Sequence, residues 1–228
     1  MINDNLNSLA PTLVEYFTYE DIPEVVLKEY TNRIDRYKKN IGVGAKYFFG
    51  HLHDSKILSC KINKGNLYLK LNEVATLYFA NALIKKMKLK INSSKIIFPL
   101  EIISEDTKHI SLNIVDKNGR IFENGLVKLN EYISEEIIDF TEEKNIKIAF
   151  NLWSKNAKYV FDDYINCKNY LLILSCRKLI INEKQNIYWE KYFGNRYDKY
   201  YNIFLEERKN GRALSDLFLC DKFIEEIM

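Results

Sequence analysis

Residues 52–71, LHDSKILSCKINKGNLYLKL, carry two apolar runs on either side of a turn signal. Ile57 on one side, and Leu67, Leu69 and Leu71 on the other, alternate with polar residues, which is the period of a half-buried strand. Between the runs stands Asn63-Lys64-Gly65-Asn66. Gly reaches positive φ without steric cost and Asn tolerates it, so the stretch predicts a β-hairpin.

Strand signals continue downstream. After a short apolar run, Ala75 to Phe79, comes Lys86-Met87-Lys88-Leu89-Lys90-Ile91. Residues 81–86, NALIKK, fit a helix as well, but the strict alternation of 86–91 predicts a strand with Lys86, Lys88 and Lys90 on a solvated face. Ile96 to Ile103 reads as another strand, with Pro99 pointing to an edge or a bulge because Pro cannot donate to the ladder. His109 to Val115 alternates again, Asp116-Lys117-Asn118-Gly119 is a turn, Arg120 to Phe122 resumes the chain, and Leu126 to Ile133 returns as a short strand. Five or six strands joined by short turns imply antiparallel pairing, since parallel neighbours need long crossovers.

Helices are expected on both flanks. Val26, Tyr30, Ile34 and Tyr37 share one helical face between about residues 21 and 40, with Pro23 in the first turn and basic residues in the last. The acidic stretch 134–144 reads as a surface connection, dividing a sheet-bearing part (1–133) from a C-terminal α/β part (134–228) packed with it as one unit. In that part, Ile146 to Trp153 and Tyr170 to Ile181 predict strands. Ser154 can cap a helix carrying Ala157, Val160, Phe161, Tyr164 and Ile165. Tyr197, Tyr200, Tyr201, Phe204 and Leu205 form a helical stripe that Gly211 ends, and Ser215 can cap a last helix through Leu219, Phe223 and Ile227. The expected fold is α+β: an N-terminal helix, a largely antiparallel multi-stranded sheet, and a helix-rich C-terminal third packed on it.

Composition narrows the function classes. A chain of 228 residues is long enough for a proper core, and 34 basic against 31 acidic residues leave a net charge of +3. That is far from the strongly basic footprint of most nucleic-acid-binding domains. Cys60, Cys167, Cys176 and Cys220 are spread out with no Cys-x-x-Cys, which favours buried reduced thiols over disulfides. The N-terminus lacks a basic segment followed by a continuous apolar run, and no run of about 18 apolar residues occurs, so neither a signal peptide nor a membrane span is expected. Cytoplasmic residence is the resulting expectation.

The chemistry-bearing candidates are few. His51-x-His53-Asp54 is the nearest approach to a metal site, because residues i and i+2 of a strand share a face and two imidazoles there could reach one ion. The set is incomplete: Lys56 stands where a further metallo-hydrolase His would be, and His109 is the single histidine left. The competing reading has Asp54 capping a turn beside a locally bonded His53. Gly42-x-Gly44 and Gly50 lack the dinucleotide fingerprint, since Tyr47 occupies a glycine position, and Gly50 is followed by His51-Leu52 rather than Lys-Ser/Thr. Asp139 with Glu142-Glu143-Lys144 faintly echoes a metal-dependent nuclease but sits in a charged run. The lysines at 86, 88 and 90 could follow a phosphate backbone, dock an acidic partner, or simply protect a strand from aggregation. The aromatics at 188, 189, 192, 197, 200 and 201 read as packing rather than as a base-stacking platform.

Tyr16-Phe17-Thr18 followed by a helix, then Leu52-His53-Asp54-Ser55-Lys56-Ile57 opening a hairpin that ends in Leu67-Tyr68-Leu69-Lys70-Leu71, resembles a family of small uncharacterised bacterial proteins. In that domain of unknown function a His-Asp pair precedes a strand-turn-strand. The resemblance covers residues 16 to about 133, implies a bacterial cytosolic setting, and supplies no activity. The expected function is a non-catalytic interaction protein, immunity- or antitoxin-like or regulatory, with another protein as partner and no cofactor. Two alternatives stay open: a metal-dependent hydrolase using His51, His53 and Asp54, and a nucleic-acid-binding module using Lys86, Lys88 and Lys90.

Overall fold

The computed structural model describes residues 52, 54–115, 121–123, 131–138, 145–153, 169–210, 212, 214 and 217–228, with isolated positions before them. Seven strands form one antiparallel sheet: β1 (Ser55–Asn63), β2 (Asn66–Asn72), β3 (Pro99–Val115), β4 (Ile121–Glu123), β5 (Glu131–Ile138), β6 (Ile146–Trp153) and β7 (Asn169–Glu183). The order is β2-β1-β5-β6-β7-β3-β4, and β2 pairs with β3 as well. That extra pairing joins the two ends and closes six strands into a barrel, with β4 appended to the far end of β3. The seam between β1 and β5 is short, with Ser55 opposite Tyr132 and Lys56 opposite Glu131.

The hairpin forms as its sequence predicts. Asn63 pairs with Asn66, and the two residues between them, Lys64 (φ 50°) and Gly65 (φ 80°), both take positive φ. This is the type I′ geometry whose twist matches the flanking strands. Leu67, Leu69 and Leu71 face inward and meet Leu100 and Ile102 of β3, Ile146, Ile148, Phe150 and Leu152 of β6, and Leu172 and Leu174 of β7 in a dry interior.

Among the described residues, four helices make a second layer: α1 (Val74–Met87), α2 (Gln185–Phe193), α3 (Asp198–Lys209) and α4 (Leu217–Ile227). They bury a separate core. Phe79 of α1 stacks on Phe204 of α3 at 4.3 Å, and Trp189 of α2 lies between Phe193 at 4.2 Å and Tyr201 at 4.3 Å. Phe98, just ahead of β3, plugs the same core.

Two expectations about residues 75–103 are corrected. The alternating lysine stretch is not a strand. Residues 74–87 are helical, and the alternation past Met87 is the helix exit. Lys88 adopts a left-handed φ of 50°, with Lys88 N–H bonded to Lys85 O and Leu89 N–H to Ile84 O. That pair of bonds is a Schellman motif, and Leu89 and Ile84 both pack on the helical core as the motif requires. The strand expected at 96–103 begins only at Pro99, at the first position where its missing N–H is tolerated. It then continues without a break into the one expected at 109–115, through an irregularity near Thr107 where Asp106 takes φ 52°.

Elsewhere the strands expected at 146–153 and 170–181 and the last two helices are present. The stretch expected to connect from 134 is strand β5 as far as Ile138. Helix α2 was not foreseen. Of the helix expected over 21–40, Lys28, Asn32, Asp35 and Arg36 are helical; its remainder, the helix expected after Ser154 and the turn at 116–119 lie outside the described residues.

The two layers are joined at Asn72-Glu73-Val74. Asn72 Oδ1 accepts the Phe98 N–H at 2.7 Å, Glu73 N–H donates to Phe98 O at 2.9 Å, and Val74 N–H donates to Ser55 Oγ at 3.2 Å. The Glu73 side chain is fully buried and caps α1, accepting the Ala75 and Thr76 N–H groups at 3.0 Å each. Arg208 of α3 reaches the same carboxylate at 3.3 Å.

Glu73→Gln should therefore cost about 3–5 kcal/mol in urea unfolding, because it strands the Arg208 charge beneath the surface. Arg208→Met on top of it should recover part of that loss; a single variant within about 0.5 kcal/mol of the parent would show Arg208 to be solvated. Phe204→Ala should cost about 3–5 kcal/mol, since Phe204 has no exposed surface and truncation leaves a cavity among Phe79, Tyr201 and Arg208. A thermal midpoint within two or three degrees of the parent would remove it from the core.

Candidate interaction surface

The sequence-derived candidates fare unequally. His51 and His53 lie outside the described residues, and Asp54 is exposed at φ 63°, at the turn that delivers the chain into β1. His109 is exposed on β3 with Nε2 3.1 Å from Ser111 Oγ. Among the described residues, no three His, Cys, Asp or Glu side chains gather as metal ligands do. Asp139 and Glu142-Glu143-Lys144 are outside the described set.

Lys86, Lys88 and Lys90 are exposed but do not share a strand face. Lys86 is on the last turn of α1 and pairs with Glu225 of α4 at 3.6 Å, beside a Lys85–Asp221 pair, Lys88 is the left-handed cap residue, and Lys90 follows in the loop. Two of the basic residues at this helix end thus tie α1 to α4.

A surface the sequence did not single out lies on the outside of the barrel. Registers across four strands place Lys61 opposite Tyr68, Tyr68 opposite Ile103, and Ile103 opposite Ile180. The parity is set by the inward leucines: Leu67 and Leu69 flank Tyr68, and Leu179 and Ile181 flank Ile180. Tyr68 is 39% exposed, and Ile103 and Ile180 are partly exposed. The row is an apolar stripe across β2, β3 and β7 that ends in a lysine.

Charged rungs border it. On one side Glu101 takes Lys70 at 3.5 Å and Lys184 at 3.3 Å; on the other Lys178 meets Glu105 at 3.6 Å. The lysines on this flank are thereby each engaged by a carboxylate. On the hairpin itself Lys61 and Lys64 are exposed and residues 55–71 contain no carboxylate, while Lys56 stands opposite Glu131 in the ladder. Leu58 on β1 adds exposed apolar surface, whereas Ile62, opposite the inward Leu67, is exposed at the end of the barrel on the other face. Such a patch offers contact area and positive charge.

A cleft of about 290 Å³ opens between α2 and α3, lined by Asn186, Glu190, Asn195, Asp198 and Asn202 over Trp189 and Tyr201. Phe193 and Tyr201 cover the two faces of Trp189, so no ring face is offered for stacking a ligand. Burial pushes the Tyr201 phenol well up, and Glu73 adds to the shift while Arg208 opposes it, so this phenol stays protonated at neutral pH.

The thiols are equally inert. Burial pushes Cys60 up to about 11 and Cys176 to about 12, against an ordinary 9.0. A thiolate is what attacks. Iodoacetamide at pH 8 should accordingly leave both unmodified in the folded chain and label them quickly in urea; rapid native labelling at Cys60 would show that strand β1 opens. The linkage sign follows. A proton held more tightly in the folded than in the unfolded state makes stability fall with pH once unfolded thiols ionise, so stability should be lost between about pH 9 and 12.

Changing Lys86, Lys88 and Lys90 together to Gln should alter stability by no more than about 0.5 kcal/mol per site, because all three side chains are exposed and the Lys86–Glu225 pair is solvated. A loss of several kcal/mol in urea titration would mean that the α1–α4 contact depends on these charges.

Comparison of the chain with protein-family models, with curated proteins and with solved structures finds no match to any of the three.

Proposed function

We propose that the chain is a non-catalytic interaction protein, immunity- or antitoxin-like or regulatory in a bacterial setting, whose partner is another protein. The observation behind this reading is the apolar stripe Tyr68–Ile103–Ile180, held open to water on paired strands and framed by charge. Exposed apolar side chains on a rigid element favour association. A ring of charged residues around an apolar centre is the anatomy of a binding hot spot, where the rim keeps water out and the centre supplies the energy.

Two other readings compete. A hydrolase would use His51, His53 and Asp54 around a metal. A nucleic-acid module would use Lys86, Lys88 and Lys90, and Lys86 already has a carboxylate partner.

Co-expression with the products of neighbouring genes tests the reading. The expected result is a complex of fixed stoichiometry by light scattering, in which the chain suppresses or modulates the activity of its partner. Stoichiometric zinc, manganese or iron in protein purified without added metal, lost in His53→Ala, would replace it with the hydrolase. A gel shift on random-sequence RNA or DNA that weakens steeply with salt would replace it with the nucleic-acid module.

A further inference from the structure

We infer, resting on that reading, that the docking surface is the outer face of the adjacent barrel strands β1, β2, β3 and β7. The segment it takes is an apolar stretch of a partner protein flanked by carboxylates. Three observations converge. Tyr68, Ile103 and Ile180 stand side by side on adjacent strands with parity pointing away from the barrel interior. The cations on the β3–β7 flank are already paired by Glu101 and Glu105. Lys61 and Lys64 are exposed on the β1–β2 hairpin, which carries no carboxylate of its own, and Lys61 heads the row.

The asymmetry fixes both composition and orientation. A partner segment lying along the row puts its apolar side chains on Tyr68, Ile103 and Ile180 and its acidic end over β1. Reversed, the acidic end would meet lysines already paired with Glu101 and Glu105 and would gain less from them. A protein fits this face better than a nucleic acid. Two of the three stripe residues are aliphatic, the flanking cations are all lysine on the β1 side, and base stacking needs more than a single aromatic platform.

The test uses the full chain in its native host, with Tyr68 replaced by a photo-crosslinking phenylalanine derivative and, in a parallel strain, Phe218 replaced likewise. Phe218 is 75% exposed on α4 and serves as a second reporter on the helical layer. The expected adduct at position 68 is a peptide from another protein that carries an apolar run next to Asp or Glu. Its yield should fall at least about tenfold when Lys61→Glu or Ile103→Lys is added, with far-ultraviolet circular dichroism unchanged. It should also fall as salt is raised, since the flanking charges are exposed. An adduct at 68 with nucleic acid, with this chain itself, or with a peptide lacking acidic residues overturns the inference, as does a yield indifferent to Lys61→Glu. Protein adducts from 218 without any from 68 overturn this surface while sparing the interaction reading. No protein adduct from either position counts against both.

Discussion

A carboxylate with no exposed surface governs how the two layers of this protein meet. Glu73 leaves the last residue of β2, caps α1 through two backbone N–H groups, and receives Arg208 from α3 more than 130 positions later in the chain. Burying a charge is costly unless hydrogen bonds and an opposite charge replace its water. Here four donors do so: the Ala75 and Thr76 N–H groups and two guanidinium nitrogens. The helix dipole adds to them at the same point. Because the partners come from β2, α1 and α3, the pair is satisfied only when the barrel and the helical layer are both in place. It therefore couples their folding without either core having to extend across the junction.

Around this junction, local chemistry explains which elements were legible. The β1–β2 hairpin was readable because its turn requires two residues at positive φ, and Lys64-Gly65 between alternating strands advertises that need. Tyr201 and Phe204 were readable as one buried face because helical spacing alone gathers them. Their covering surface was not, since it is supplied by Phe79 and Trp189 on other helices rather than by the sheet. The lysine run was misread for a definite reason. A helix ending in a Schellman motif inverts its backbone at the residue after the last turn, and Lys88 does so without the glycine that usually marks it. Helix α2 gave no signal at its start, where Lys184 makes no side-chain cap, so that Gly194, which ends it at positive φ, stood as a stop without a beginning.

The outer stripe was invisible for a different reason. Tyr68, Ile103 and Ile180 are spread over 113 positions, and nothing in their immediate neighbourhoods relates them. Register relates them, and register is a consequence of barrel closure: β3 must take β2 on one edge and β7 on the other along the same residues. Side-chain period then decides the outcome, because a slip of one residue in either ladder would turn Ile103 inward and Ile102 out to water. The leucines and isoleucines of the interior thus determine what the exterior presents.

The same register sets the electrostatics of that face. Glu101 lies one rung from Ile103 and holds two lysines, Lys70 from β2 and Lys184 from the end of β7; Glu105, one rung the other way, holds Lys178. Exposed pairs of this kind contribute little to stability. Their larger effect is to engage the lysines where β3 and β7 run together, while the β1–β2 hairpin supplies Lys61 and Lys64 with no carboxylate of its own. A field with a gradient across an apolar stripe distinguishes one direction of approach from its reverse, which a uniformly charged surface cannot do. The barrel therefore presents contact area and orientation together, with the contact area drawn from side chains that strand parity turns outward.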